Sequence, residues 1–173
     1  MDKANEYLAH AQIRPVGEAA VMVSFGDIVD PDLFYCAQAL SEALEKEPFP
    51  GLREFESSYT GVTIFYDPLV LAQHSSLPED GTLSKGYREA KARLEALLQK
   101  AKINKEGGRS TVRIPVCYGG EFGPDLDYVA EYHHMTPEDV IRIHSGATYL
   151  VYMIGFAPGY PYMGGLPEEI STP

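Results

Sequence analysis

The residues with the strongest claim to chemistry are His144 and the run Gly155 to Gly165, "GFAPGYPYMGG". Four glycines, two prolines and three aromatic rings stand together in those eleven residues. Gly155, Gly159, Gly164 and Gly165 let a small molecule approach main-chain N–H groups, which a Cβ would obstruct. Phe156, Pro158, Tyr160 and Tyr162 add apolar contact, and two of the rings carry an orienting hydroxyl. The same composition equally suits a tight corner between two strands. His144 lies eleven residues before Gly155, close enough for a helix and a strand joined by a short turn to bring the two together. A histidine flanked by Ile141 and Ile143 also suits a structural position.

Other site chemistries find little support. The run matches neither G-x-x-x-x-G-K-[ST] nor G-x-G-x-x-G and has no lysine, so it is not a self-contained phosphate cradle. His133 and His134 are adjacent and point to different sides of a helix, with no ligand-spaced Asp, Glu or Cys; no metal is expected. Ser57, Ser58 and Ser145 lack a nucleophile-elbow context.

A helix must carry His144 and a strand must lead into the glycine run. "TPEDVIRIHSG" supplies the helix: Thr136 caps it, Pro137 occupies its first turn, Asp139 closes a capping box and Gly146 ends it. "ATYLVYMIGF" reads as a strand apolar on both faces, one that needs neighbours on both sides. Upstream, "TVRIPVCY" alternates Val112, Ile114, Val116 and Tyr118 as a strand would. "GGEFGPDLDYVAEYHH" is a loop leading into a short helix. Residues 111–173 hold two bases, Arg113 and Arg142, against eight acids.

The first part reads strand-strand-helix-strand-strand-helix. "IRPVGEAAVMVSFGD" turns at Gly17-Glu18, Asp30-Pro31 opens a helix with Leu33, Ala37, Leu40 and Leu44 on one stripe, and "LREFESSYTGVTIFYDP" is a second strand pair. "HSSLPEDGTLS" is a loop, and a long helix runs from Lys85 to Lys102. Four strands backed by two helices predict a two-layer α+β sandwich. The expected organisation is a frayed polar tail over 1–12, an α/β domain over 13–102, a charged, Gly-rich linker over 103–110 and a β domain over 111–173.

The formal charge of the 173-residue chain is −11, from 25 acids and 14 bases, which disfavours nucleic acid and anionic membrane as partners. Cys36 and Cys117 form no C-x-x-C pair and are read as buried thiols of a reducing, cytoplasmic compartment. No apolar run reaches the roughly 18 residues of a membrane span.

The segment "IHSGATYLVYMIGFAPGYPYMGGLPEEISTP" resembles the signature of the allophanate hydrolase subunit 1 family. The likeness falls on His144, Tyr149, Gly155-Phe156, Pro158-Gly159-Tyr160, Tyr162 and Gly164-Gly165-Leu166-Pro167, and extends to Tyr118-Gly119-Gly120 and Gly123-Pro124-Asp125-Leu126. "ESSYTGVTIFYDP" is similar to the family's N-terminal strand pair. The resemblance implies a ferredoxin-like domain followed by a cyclophilin-like β-barrel, here incomplete, since family members continue past the Thr-Pro with further strands. It implies the role of the B subunit in an ATP-dependent 5-oxoprolinase. That subunit is inactive alone and acts on a small cyclic amide together with a C subunit of related fold and an A subunit. ATP is then used by the complex, with none bound by this chain. The alternative within the family is an inhibitor of a sporulation sensor histidine kinase. His144 becomes the expected catalytic contact, and the Gly155–Gly165 run the substrate-binding wall.

Overall fold

The structure is a computed structural model that describes residues 3–78, 83–105 and 110–173. It divides into two compact units, Met1–Gly107 and Gly108–Pro173.

The first unit opens with α1 (Lys3–Ala9), followed by β1 (Gln12–Val16), β2 (Ala20–Ser24), α2 (Pro31–Lys46), β3 (Leu52–Ser57), β4 (Gly61–Tyr66), α3 (Pro68–His74) and α4 (Lys85–Lys100). The strands form one antiparallel sheet in the order β1-β2-β4-β3. This is a mixed α/β unit built on a four-stranded antiparallel sheet. Alternation decides which side of the sheet is covered: Val21, Val23, Val62, Ile64 and Tyr66 are buried. Against them lie Leu33, Cys36, Ala37, Leu40 and Leu44 of α2, spaced at helical intervals, and Tyr87, Ala90, Leu94 and Leu97 of α4. Each fully buried leucine contributes about 1.5–3 kcal/mol of transfer free energy.

Asp30 fixes the start of α2 by accepting from the Asp32 N–H at 2.8 Å, with Pro31 in the first turn. Its other oxygen meets Lys3 Nζ at 2.7 Å. The Lys3 ammonium, and then the Asp32 N–H, hold the Asp30 carboxyl below its ordinary range.

Two elements differ from the sequence reading. The polar opening is not frayed along its length: Lys3–Ala9 is helical, and Ala4 and Leu8 are buried on the core. One i, i+4 apolar pair among charged residues is a faint signal, yet it suffices once α2 offers a surface and Cys36 Sγ donates to the Ala4 carbonyl at 3.2 Å. The second difference is α3, placed where the sequence reads as strand running into loop. Asp67 caps it through the Leu69 and Val70 N–H groups, with Pro68 in its first turn. The expected linker over 103–110 lies partly outside the described residues.

The second unit contains a 3₁₀ turn at Gly120–Phe122, α5 (Leu126–Tyr132), α6 (Pro137–Gly146), the antiparallel pair β5 (Leu150–Ile154) and β6 (Pro161–Gly164), and a 3₁₀ turn at Glu168–Ile170. Ala130, Val140 and Ile170 make a small core, with Leu126, Val129, Met135 and Ile143 packed around it. The segment 111–118 is not a strand, contrary to its alternating pattern. Alternation marks residues fit for a sheet, and a ladder also requires a neighbouring backbone to pair with. Val112, Ile114 and Val116 are exposed. Cys117 shares that exposure, which corrects its reading as a buried thiol; Cys36 is buried.

Gly61 marks a tight backbone crossing in the sheet. A Cβ there would lie 2.4 Å from the Val23 carbonyl oxygen, main chain that cannot swing aside. Gly61→Ala should therefore destabilise the first unit by about 1–3 kcal/mol, read as a lower urea midpoint; an unchanged midpoint would contradict this packing.

Candidate functional site

The capping box drawn from the sequence is present: Thr136 Oγ1 accepts from the Asp139 N–H at 3.2 Å, and Asp139 Oδ2 accepts from the Thr136 N–H at 3.4 Å. It sets the first turn of α6, so His144 falls in the last turn, one helical step from buried Val140. Hydrogen bonds from Thr136 and then Arg142 keep the Asp139 carboxyl below its usual range.

His144 is half-buried between two tyrosines. Its Nδ1 lies 2.6 Å from Tyr118 Oη, and the two rings meet edge-on at 5.7 Å. On the other side the Tyr149 ring centroid is 5.3 Å away, and the Tyr149 hydroxyl donates to the His144 carbonyl at 2.8 Å. A phenol is a stronger acid than a neutral imidazole N–H, which favours the arrangement in which Tyr118 donates and Nδ1 accepts. The neutral imidazole then carries its proton on Nε2, an N–H suited to polarising a carbonyl oxygen.

The backbone explains how Tyr118 arrives, 26 residues away in sequence. Gly119 (φ 84) and Gly120 (φ 56) occupy left-handed conformations and turn the chain sharply after the tyrosine. Gly123 closes that turn against Gly119, where a Cβ would lie 2.5 Å from the Gly119 nitrogen. The signal that could have flagged Tyr118 as a site residue is this Tyr-Gly-Gly-x-x-Gly spacing. Tyr149 is legible in the sequence only as the head of a strand.

Gly155 to Tyr160 of the glycine-aromatic run connect β5 to β6, and Pro161–Gly164 is β6 itself. Within the connection Gly155 N–H donates to the Tyr160 carbonyl at 3.1 Å, Ala157 N–H to Gly155 at 2.7 Å and Tyr160 N–H to Ala157 at 3.0 Å. Those donors are used within the turn, whose remaining N–H groups among the described residues belong to Phe156 and Gly159. Phe156 has a left-handed backbone (φ 63) and a ring 94% exposed. Tyr160 stacks edge-on against both Phe156 (6.3 Å) and Tyr162 (5.3 Å). An unbranched residue in that backbone region costs about 1–2 kcal/mol, and here no burial of the ring offsets it.

The hairpin divides the expected site residues into two groups. Leu150 pairs with Gly164, so Gly164 and Gly165 lie beside Tyr149 and the His144 clamp. Gly164 is closely fitted, since a Cβ would sit 2.7 Å from the buried Tyr152 ring. Gly155, Phe156, Pro158, Gly159 and Tyr160 form the opposite end, about 20 Å from Tyr149 along β5 at the strand rise. Tyr162, paired with Met153, stands between. Among the described residues, no three or more His, Cys, Asp or Glu side chains converge as metal ligands would. Nor is any helix among them long and apolar enough to cross a membrane.

The sequence model of the carboxyltransferase domain, subdomain C and D, matches residues 11–173. The 5-oxoprolinase B subunit of Bacillus subtilis (strain 168) is 40% identical over 162 residues, which are 94% of this chain and 66% of that protein. The 5-oxoprolinase B subunit of Haemophilus influenzae (strain ATCC 51907 / DSM 11121 / KW20 / Rd) is 53% identical over 81 residues, 47% of this chain and 38% of that protein. The chain thus spans 66% and 38% of the lengths of these two curated relatives. A crystal structure of TTHA0988 aligns with a TM-score of 0.66 at 28% identity, over 94% of this chain and 28% of that one.

Burial, and secondarily the neighbouring Tyr118, raises the Tyr149 phenol above its ordinary value. A raised folded value means that its stabilising contribution is complete below about pH 10 and is lost as pH climbs through the folded pKa. Difference absorbance between this protein and Tyr149→Phe should place one phenolate transition above that of a free tyrosine. A transition at or below the ordinary value would show that the Tyr149 hydroxyl is not held as described.

Proposed function

Because the chain belongs to the carboxyltransferase domain family, subdomain C and D, we propose that it serves as the B subunit of an ATP-dependent 5-oxoprolinase. It is inactive alone and acts on a small cyclic amide with a C subunit of related fold and an A subunit. The observation that carries this reading is the 40% identity, across 94% of this chain, to the 5-oxoprolinase B subunit of Bacillus subtilis. Residues 13–102 are read as a ferredoxin-like domain, 103–110 as a linker and 111–173 as part of a cyclophilin-like domain. The sheet order β1-β2-β4-β3, with α2 and α4 packed on it, supports the first assignment, since a ferredoxin-like sheet with one edge strand moved to the start of the chain would have this order.

In this reading His144 presents Nε2–H to the amide carbonyl oxygen, and Tyr118 fixes the tautomer that makes Nε2 the donor. Gly164 and Gly165 form the adjacent wall. Phe156, Pro158, Gly159 and Tyr160 form a second contact surface, for substrate or for the C subunit, at the other end of the hairpin. A nucleoside triphosphate does not fit these residues. Between 111 and 173 the basic residues are Arg113 and Arg142, and Arg142 is engaged by Asp139 at 3.0 Å. ATP is therefore assigned to the other components, and the work of the complex is cytoplasmic.

Reconstitution tests this directly. Added to the A and C subunits of a bacterial 5-oxoprolinase, the chain should confer ATP hydrolysis that depends on 5-oxoproline. His144→Gln should lower kcat about 100-fold with an unchanged circular dichroism spectrum. No activity in the three-component mixture, together with direct binding to a sensor histidine kinase, would replace this reading with that of an inhibitor. Phe156→Gly separates the turn's two roles, because glycine relieves the left-handed backbone while removing the ring. Either KM or the C-subunit concentration needed for half-maximal activity should rise, with stability unchanged or higher; if neither changes, the turn is reduced to a connection.

A further inference from the structure

The helices cover one side of the four-stranded sheet, and the other side is built to match itself. The ladder register aligns its outward residues in rows. One row is Arg14, Met22, Thr63, Glu56, running from β1 through β2 and β4 to β3. The next is Val16, Ala20, Phe65, Glu54. The Thr63 hydroxyl, 3.5 Å from Met22 Sδ, shows the middle of the first row lying on one face. Met22, Thr63 and Phe65 are half-buried, Ala20 is buried, and Val16 is exposed. One edge of the face therefore carries an arginine, held by the Gln12 side chain, the centre is apolar, and the far edge carries two carboxylates.

We propose that a second copy of this chain docks on this face, related by a two-fold axis parallel to the strands. Such an axis preserves height along the strands and reverses their order across the sheet. Each row then meets itself backwards. Arg14 faces Glu56 of the second copy, Met22 faces Thr63, Ala20 faces Phe65 and Val16 faces Glu54, so the operation pairs the arginine with a carboxylate twice over and leaves Glu54 beside an apolar side chain. A two-fold across the strands would instead set each strand against itself, so that Arg14 meets Arg14 and Glu56 meets Glu56 when the axis passes through their row. Aligned sheets pack about 10 Å apart at about 30°. That rotation displaces the edge strands by about 4 Å, which an arginine side chain spans. Two rows across four strands make a face smaller than a standard interface, so weak, reversible association is expected.

Sedimentation equilibrium of the 173-residue chain between about 1 and 300 µM should show a reversible monomer–dimer equilibrium that weakens with salt. Arg14→Glu and Glu56→Arg should each weaken dimerisation about tenfold by opposing like charges. The combined variant Arg14→Glu/Glu56→Arg should return to within about threefold of the starting affinity, a rescue that misfolding cannot mimic. A chain monomeric at every concentration, as a face reserved for a different protein would leave it, overturns the proposal. So do single reversals without effect, or a combined variant no better than either single one.

Discussion

The candidate site depends on one hydrogen bond, between Tyr118 Oη and His144 Nδ1. An unheld imidazole exchanges tautomers and rotates about its side-chain bonds, so neither ring nitrogen has a fixed role. A phenol donating to Nδ1 removes that ambiguity and leaves the proton on Nε2. Much of the surrounding structure serves the contact. The Gly119-Gly120 turn delivers the tyrosine, the Thr136–Asp139 box sets the phase of α6, and Tyr149 ties the helix end to the head of β5. Each is a local device worth about 1 kcal/mol, and together they hold one geometry.

The second unit rests on a small core of Ala130, Val140 and Ile170, whereas among the described residues the core cluster of the first holds nineteen buried side chains. With so few buried side chains, the second unit relies on polar and backbone constraints to fix its rings. Its backbone shows as much: Phe156 and His134 hold positive φ without being glycine, and Gly119, Gly120, Gly159 and Gly165 do so as glycines. A hairpin whose exposed ring occupies a left-handed residue is shaped for contact more than for packing.

Elements that depend on local chemistry are legible in the sequence. Asp30-Pro31 and Thr136-Pro137 announce α2 and α6, and alternation announces β1 to β4, because caps and periodicity act within a few residues. The start of α3 carries the same Asp-Pro signature at Asp67-Pro68, masked by the strand pattern that runs straight into it. Residues 111–118 show the limit of periodicity, which marks a residue's preference for a sheet and cannot supply the partner. The site is legible in composition but not in arrangement. His144 and the glycine run stand out by type, whereas the contact with Tyr118 spans 26 residues and exists only once the Gly119-Gly120 turn and α6 are both formed. The division of the run, Gly164 and Gly165 toward His144 and Phe156 away from it, follows from hairpin register, which the sequence pattern leaves open.

The most direct measurement is long-range ¹⁵N–¹H correlation NMR of the His144 ring, with Tyr118→Phe as reference. The account predicts an Nε2–H tautomer with Nδ1 as acceptor near neutral pH, and a shift toward a tautomer mixture once the phenol is removed. An Nδ1–H tautomer, or a mixture already present with Tyr118 intact, would contradict it.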